Sequence, residues 1–470
     1  MNLQLEDIPG MRITVMGLGL HGGGAAAARF FASLGARVLV TDLRSSEELS
    51  ASLSDLKNLE IEYRLGEHRL EDFSGADLVI KNPAVPSGSE YLKAAHHVSS
   101  DIAVFLGLSG REVFAITGTK GKSTTASAVH HVLSTIKSET DLGGNITISP
   151  LNFLLRDMIN GSLKEKDAPV VLELSSWQLA DCLPREVLKP RYSMITNIMH
   201  DHQNRYDSFE DYVADKALIF SNQDSNDVSV FNYDDPYGRK YAGESRARVL
   251  YFSNNQLPAA LEGGFLKGTR GFLRREGKEV EILPETLAVP GAHNRLNLLA
   301  AAVMLASSGV PVETIKSGLA DFHGIPHRLE EVARIDGVLY VNDSAATIPE
   351  AAAAAIASFD APVRLIAGGT DKELDFTGFS DALRRVAGLY LLKGNATPRF
   401  EAAAEEAGIR HRGPFESLEE ALMQVRAEAR PGDVVLLSPG CASFGMFRNE
   451  FHRGDLFRDY VRSLAGTGGL

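Results

Sequence analysis

Residues 113–125, Val-Phe-Ala-Ile-Thr-Gly-Thr-Lys-Gly-Lys-Ser-Thr-Thr, constrain this chain more than any other stretch. An apolar run of strand character meets a glycine loop ending in Lys122 and Ser123, and a helix-forming segment, 124–135, follows. Such a loop cradles nucleotide phosphates. Gly118 and Gly121 have no Cβ, so backbone N–H groups can turn inward. Lys122 can bridge phosphoryl oxygens, the Ser123 hydroxyl is placed for a phosphate-bound Mg²⁺, and the helix dipole adds attraction. The spacing departs from the usual P-loop, whose first glycine would fall at position 116, here Ile. Strand, loop, Lys-Ser and helix still occur in the required order, with Thr119, Lys120 and Thr124 completing the cradle. A plain surface turn needs none of that order.

With 470 residues the chain is too long for one core, and ordinary domain sizes suggest about three domains. A net charge of -13 disfavours nucleic acid as a partner for the whole protein. Cys182 and Cys441 lie far apart without paired-ligand spacing, so they read as buried small residues in a reducing compartment. The amino terminus lacks a signal-peptide pattern, and no run approaches the roughly 18 apolar residues of a membrane span. A cytoplasmic location is expected.

Three segments carry α/β signatures. In 1–108, a strand at 12–16 leads into Gly17-Leu-Gly19-Leu20-His21-Gly22 and an Ala-rich helix through Leu34. A second strand, 37–41, ends at Asp42. This is the dinucleotide fingerprint. Taken alone it suggests a nicotinamide dehydrogenase; physically it supplies a close backbone approach to a pyrophosphate and a carboxylate, which suit any diphosphate nucleotide. Further strands are expected at 77–81 and 101–104. The second segment, 109–325, has strands at 113–116, 170–174 and 193–197, small strands within 249–287, and a helix from about residue 294. The third, 326–470, alternates strands at 338–342, 363–367, 388–392 and 433–437 with helices at 349–358, 376–386 and 418–427. The expected fold is therefore α/β in three domains: a Rossmann-like domain, a P-loop-type ATPase domain with a mostly parallel sheet, and a second Rossmann-like domain.

An ATP site needs a metal to neutralise the transferring group. Glu173, at a strand end, could ligate Mg²⁺ with Ser123. Asp201 and His202 end the next strand, and either could be a ligand. Lys216 sits on an amphipathic helix and reads, by itself, as a solvated lysine.

Thr-Gly-Thr-Lys-Gly-Lys-Ser-Thr, Gly143-Gly144-Asn145, Glu173-Leu-Ser175-Ser-Trp-Gln, Asp201-His202, Lys216, Gly291-Ala-His-Asn294, Pro326-His-Arg328-Leu-Glu and Asn342-Asp343-Ser344 occur in this order. The set resembles the Mur ligases, ATP-dependent enzymes that add amino acids to the peptidoglycan precursor. The N-terminal glycine loop, Gly-Ile-Pro-His-Arg-Leu-Glu and Ser438-Pro-Gly-Cys-Ala-Ser443 most resemble the branch that adds D-glutamate to UDP-N-acetylmuramoyl-L-alanine. The resemblance implies that Leu20, His21 and Asp42 hold the uridine diphosphate, with Asn145 and Ser175 also on the substrate. ATP and a first Mg²⁺ fall to Lys122, Ser123 and Glu173, and a second Mg²⁺ to His202 and Lys216, the lysine carbamylated by CO₂. Asn294, Arg328 and Asp343 become nucleotide contacts, and Thr347, Lys372, Ser443 and Phe444 hold the D-glutamate. The family commonly has Lys where Ala345 stands and Asn where Ile348 stands, so positive charge for the amino acid falls to Lys372. A monomer without nucleic-acid or membrane partners is expected. The alternatives are a sister ligase with another amino acid, and the dehydrogenase.

Overall fold

The apolar runs read from the sequence become strands of three sheets. The structure is a computed structural model. It describes residues 3–19, 22–86, 88–146, 148–161, 168–199, 206, 208–289, 291–371, 374, 376, 378–443 and 445–466. The chain divides into two compact units, Met1–Phe322 and His323–Leu470.

The first sheet contains β1 (Arg12–Met16), β2 (Arg37–Asp42), β3 (Ile61–Leu65), β4 (Leu78–Lys81) and β5 (Val98–Ser99), all parallel in the order β3-β2-β1-β4-β5. Side chains alternate across it, as the two-residue period of a strand requires. Ile13 and Val15 pack in one core with Phe30 and Phe31 of α1 (Gly23–Ser33), and Met16 packs in another with Phe73, Val79 and Leu92. The strand order reverses between β1 and β4, so a crevice opens at their carboxyl ends. The strand expected at 101–104 is instead α2 (Asp101–Leu108). Ser100 caps it by accepting from Ala103 N–H at 3.2 Å, and Asp101 lies in its first turn. Five successive buried residues, 101–105, hide the helical period, and the strand of this region is only β5.

The second sheet has nine strands: β6 (Val113–Thr117), β7 (Asp141–Gly144), β8 (Val170–Glu173), β9 (Tyr192–Ile195), β10 (Val228–Asn232), β11 (Arg248–Ser253), β12 (Gly263–Lys267), β13 (Arg270–Arg275) and β14 (Lys278–Leu283). Their order is β14-β13-β12-β11-β10-β9-β6-β8-β7. Pairing is parallel from β7 to β12 and antiparallel through β13 and β14, the small strands expected within 249–287. After β6, α3 (Lys122–Ile136) starts two residues earlier than expected, because Gly121 at φ 82° takes the N-cap position. The short helix α4 (Ser176–Ala180) follows β8, and α5 (Phe209–Ala217) carries Lys216. Next, α6 (Ala292–Ser307) buries Leu298–Leu305 without interruption in the core shared with Ala126, Val129, Val132 and Leu133 of α3.

In the second unit the order is β15-β16-β20-β17-β18-β19, from β15 (Glu330–Ile335), β16 (Val338–Asn342), β17 (Val363–Ala367), β18 (Val386–Leu392), β19 (His411–Phe415) and β20 (Val434–Leu437). Only β15 is antiparallel to its neighbour. The two edge strands, β15 and β19, escape a sequence reading because both are polar and partly exposed. The helix expected at 376–386 covers only Phe379–Leu383, since Gly378 at φ 74° opens it late and the chain enters β18 at Val386. Helix α7 (Pro349–Ala357) begins on a proline, and α8 (Glu450–Gly466) follows β20.

Both cysteines are buried free thiols, as expected, and burial pushes each thiol up. Within the first unit a buried ion pair ties the end of β4 to the end of α4: Lys81 Nζ meets Asp181 Oδ2, the side chains 4% and 8% exposed. Removing one member of a buried pair strands the other charge, whereas removing both costs far less. Lys81→Met should therefore destabilise the first unit by about 3–5 kcal/mol, with Lys81→Met/Asp181→Leu recovering much of that loss. Urea unfolding followed by the fluorescence of Trp177, the one tryptophan of the chain and a residue of α4, measures both. Equal losses in the single and double variants would contradict the assignment.

Candidate active site

The phosphate loop lies at the carboxyl end of β6, where the central sheet changes winding direction between β6 and β9. Its backbone is held from across that switch point. Thr119 N–H donates to Asn197 O at 2.8 Å, and Lys120 N–H donates to Asn197 Oδ1 at 2.9 Å. The Lys120 carbonyl accepts from Thr196 Oγ1 at 2.6 Å and from Asn197 Nδ2 at 3.0 Å. Met199 N–H reaches back to Thr119 Oγ1 at 3.0 Å. Gly118, at φ 144°, must be glycine here, because a Cβ would stand 1.9 Å from Thr196 Oγ1. Gly121 abuts α6: its Cβ would lie 2.3 Å from Asn297 Oδ1. Asn294, one helical turn before Asn297, is buried in the first turn of the same helix. Ser123 and Thr124 occupy the first turn of α3, and Lys122 Nζ folds over the loop onto Thr119 O at 2.9 Å.

Lys216 is not a solvated lysine. It is 2% exposed, donates from Nζ to Gly118 O at 2.8 Å, and lies 4.5 Å over the ring of Tyr212. The Tyr212 hydroxyl in turn bonds Thr119 Oγ1 at 2.9 Å. A lysine and a tyrosine four residues apart on α5 thus grip successive residues of the phosphate loop. Glu173 ends β8 beside β6, in register with Ile116, and is also 2% exposed. Its Oε1 accepts from Asn145 Nδ2 at 2.8 Å, while its Oε2 is buried without a hydrogen-bond partner. The donor set fits a hard divalent cation, which takes oxygen ligands and commonly completes its shell with substrate phosphates and water. Among the described residues no group of three or more acidic, histidine or cysteine side chains forms a metal cage. Asp201 and His202 lie outside the described residues. Ser175 serves its own helix: its hydroxyl accepts from Gln178 N–H at 3.2 Å, and Gln178 Oε1 accepts from Ser175 N–H at 3.1 Å.

The crevice of the first sheet holds the other glycine loop. Asp42 braces that loop and its own turn: its carboxylate accepts from Gly19 N–H at 3.1 Å and Arg44 N–H at 3.0 Å. Asn82, after β4, donates from Nδ2 to Gly17 O at 3.3 Å. The glycine that lets helix and strand approach is Gly24, whose Cβ would stand 2.3 Å from Gly17 O. Leu20 and His21 lie outside the described residues.

In the second unit Asp343 is buried after β16. It accepts from Ser438 Oγ at 2.7 Å and Leu329 N–H at 3.1 Å, and burial pushes its carboxyl up to about 7. Arg328 is exposed between two residues of positive φ, His327 at 65° and Leu329 at 45°. Burial lowers the His327 imidazole, and its Nδ1 meets Asn342 Nδ2 at 3.0 Å. The loops after β16, β17 and β20 converge: Gly440 N–H donates to Ala346 O, and Thr370 N–H to Ala442 O. Fully buried Arg453 of α8 staples two of them, donating to Ser344 O and Oγ at 2.9 Å and to Cys441 O at 3.3 Å. Ser443 is buried there with no partner for its hydroxyl, and Thr347 is half-buried. Lys372 and Phe444 lie outside the described residues.

Comparison with known proteins decides the family. Residues 11–104 match the "Mur ligase MurD-like, N-terminal domain", 116–305 the "Mur ligase middle domain", and 327–441 the "Mur ligase, glutamate ligase domain". The chain belongs to the Mur ligase family. This Mur ligase is 42% identical to the UDP-N-acetylmuramoylalanine–D-glutamate ligase of Roseiflexus sp. (strain RS-1), over 97% of this chain and 100% of the relative. It is 36% identical to the ligase of the same name from Treponema pallidum (strain Nichols), over 97% and 98%. Its fold is shared with the UDP-N-acetylmuramate-alanine ligase MurC of Thermotoga maritima, at TM-score 0.59 and 20% identity over 96% of this chain and 99% of that one. As a Mur ligase the protein is an ATP-dependent, amide-forming enzyme, and the dehydrogenase reading of its N-terminal loop falls away.

Several residues that shape the site of this Mur ligase carry no motif of their own. Asn197 stood beside Asp201-His202 in the sequence without an assigned role, and Tyr212 was visible only as the residue four before Lys216. Asn82 and Arg453 gave no signal. The titration of Asp343 has a testable sign. Its carboxyl is protonated in the folded unit up to about pH 7 but ionises near 3.8 when unfolded, so folding takes up a proton between those values. Stability from this group is complete below the unfolded value and is lost as pH rises through the folded one. Asp343→Asn, neutral throughout, should therefore gain stability relative to the parent between about pH 4 and pH 7, read as urea midpoints by circular dichroism. A pH-independent difference between the two proteins would contradict this.

Proposed function

We propose that this Mur ligase joins D-glutamate to UDP-N-acetylmuramoyl-L-alanine at the cost of ATP, in the cytoplasm, for peptidoglycan precursor synthesis. The observation that carries the reading is a pair of buried ionisable side chains: Lys216 bonded to Gly118 O of the phosphate loop, and Glu173 at the end of the strand beside β6, in register with Ile116. The names of the full-length relatives support the choice of substrates. We assign 1–108 to the UDP-substrate, with Leu20, His21 and Asp42, and 109–325 to ATP, with Asn145 and Ser175 also toward the substrate. Segment 326–470 supplies Arg328 and Asp343 as nucleotide contacts, and Thr347, Lys372, Ser443 and Phe444 for the amino acid.

A carboxylate is a poor electrophile, so the alanyl carboxylate oxygen attacks the γ-phosphorus of ATP and the bond to the bridging β,γ-oxygen breaks, giving ADP and an acyl phosphate. Lys122 and the N–H groups of the loop balance the charge that builds on the phosphoryl oxygens. The neutral amine of D-glutamate then attacks the acyl carbon; the C–O bond to phosphate breaks, and the amine loses a proton. Exclusion of water protects the acyl phosphate meanwhile. Ser123 and Glu173 would hold one Mg²⁺, and His202 with Lys216 a second; when bound, the metal neutralises phosphate charge. Lys216 suits that role as a carbamate, formed when its neutral amine takes up CO₂ with loss of a proton, since an ammonium would repel the ion.

Phosphate release from ATP and Mg²⁺ with UDP-N-acetylmuramoyl-L-alanine should require D-glutamate and fail with L-glutamate, L-alanine and diaminopimelate. Lys372→Ala should raise the KM for D-glutamate at least tenfold, about 1.4 kcal/mol of binding. Turnover with another amino acid alone would favour a sister ligase, a reading that Ala345 and Ile348 keep open, and silence with all four would sink the proposal. In ¹³C-bicarbonate the protein should show a carbamate carbon signal that Lys216→Arg abolishes; a signal unchanged by that substitution would remove the carbamate from Lys216.

A further inference from the structure

The end of β7 leaves no room for a side chain beside Glu173. Gly144 pairs with Glu173 in register, at φ 98°, and a Cβ on it would stand 2.1 Å from Glu173 O. The next residue, Asn145, is tethered to the same glutamate twice. Its N–H donates to Glu173 O at 2.8 Å, and its Nδ2 donates to Glu173 Oε1 at 2.8 Å. A carboxylate only accepts, so the amide must turn its NH₂ toward Oε1. The other oxygen, Oε2, is buried with no partner. A buried polar atom left unmatched costs free energy unless something meets it, and here one carboxylate has one oxygen satisfied and one held open.

We infer that Asn145 is a positioning residue for Glu173: it occupies Oε1, fixes the carboxylate plane, and leaves Oε2 as a single-point ligand for a divalent cation. The inference rests on Glu173 acting as the metal carboxylate, and it gives Asn145 a task separate from contact with the UDP-substrate. Single-point ligation suits Mg²⁺, which is small, strictly octahedral and keeps several waters, whereas Ca²⁺ readily takes both oxygens of one carboxylate. The tether therefore also favours the smaller ion. Partners that orient a metal ligand commonly contribute tenfold or more in affinity.

The test is a double-mutant cycle on the intact protein, with Mn²⁺ as the probe in the presence of ADP and its free concentration read by electron paramagnetic resonance. Asn145→Ala should weaken Mn²⁺ retention about tenfold or more in the parent and leave it unchanged in a Glu173→Gln background, because the side chain through which Asn145 acts is then already disabled. Asn145→Ser, whose hydroxyl is too short to span to Oε1, should behave as Asn145→Ala does, and it serves if the alanine variant fails to fold. Competition by Ca²⁺ should strengthen in both. An equal loss in the two backgrounds, or a change confined to the KM for the UDP-substrate, would overturn the positioning role while leaving Glu173 as a ligand. If Glu173→Gln itself holds Mn²⁺ as tightly as the parent, the metal role of Glu173 fails, and the inference with it.

Discussion

The clamp on the phosphate loop from the far side of the switch point is the interaction on which the rest of the first unit depends. Two neighbouring residues after β9, Thr196 and Asn197, satisfy both the N–H and the carbonyl of Lys120 and the N–H of Thr119. A loop rich in glycine has much conformational entropy to lose, and ordering it only when nucleotide arrives would weaken binding. Here the ordering is built into the fold by one backbone bond and three side-chain bonds between the residues that follow β6 and β9. Thr119 then becomes a fixed anchor for Tyr212, and Gly118 a fixed acceptor for Lys216, so α5 is positioned by the same clamp.

Several charges of this molecule are placed where water is scarce. Glu173, Lys216, Lys81, Asp181 and Arg453 are all at least nine-tenths buried, and each meets a specific oxygen, nitrogen or ring. Three of them are scaffolding. Lys81 and Asp181 lock a strand end to a helix end, and Arg453 closes the loops of the second unit. Glu173 and Lys216 differ: Lys216 bonds the phosphate loop at Gly118 O, and one oxygen of Glu173, at the end of the neighbouring strand, is unmatched. Desolvated groups beside a phosphate site interact more strongly with charge than they would in water.

Much of the architecture was legible because fully buried parallel strands write themselves as short apolar runs with turn residues at both ends, as in Val113–Thr117 and Val434–Leu437. Legibility failed where burial was uniform or absent. Helix α2 is apolar all round and showed no period, and the edge strands β15 and β19 are too polar to show one. At the site, Gly118, Lys122, Ser123 and Glu173 announced themselves through order and spacing. The burial of Lys216 could not be read, since a lysine on an amphipathic helix looks the same whether it ends in water or against a carbonyl. Nor could the tether from Asn145 to Glu173, because it joins residues 28 apart through strand pairing alone.

The staple formed by Arg453 has a consequence in time as well as in space. It reaches Ser344 across 109 residues of chain. At a synthesis rate of about 5–20 residues per second, the loop that follows β16 leaves the ribosome roughly 5–20 s before the helix that fastens it. Through most of that interval β17, β18 and β19 can pair, but β16 waits for β20, which lies between β16 and β17 and emerges shortly before Arg453. The loop cluster after β16 and β20 is thus among the last features of the protein to take shape.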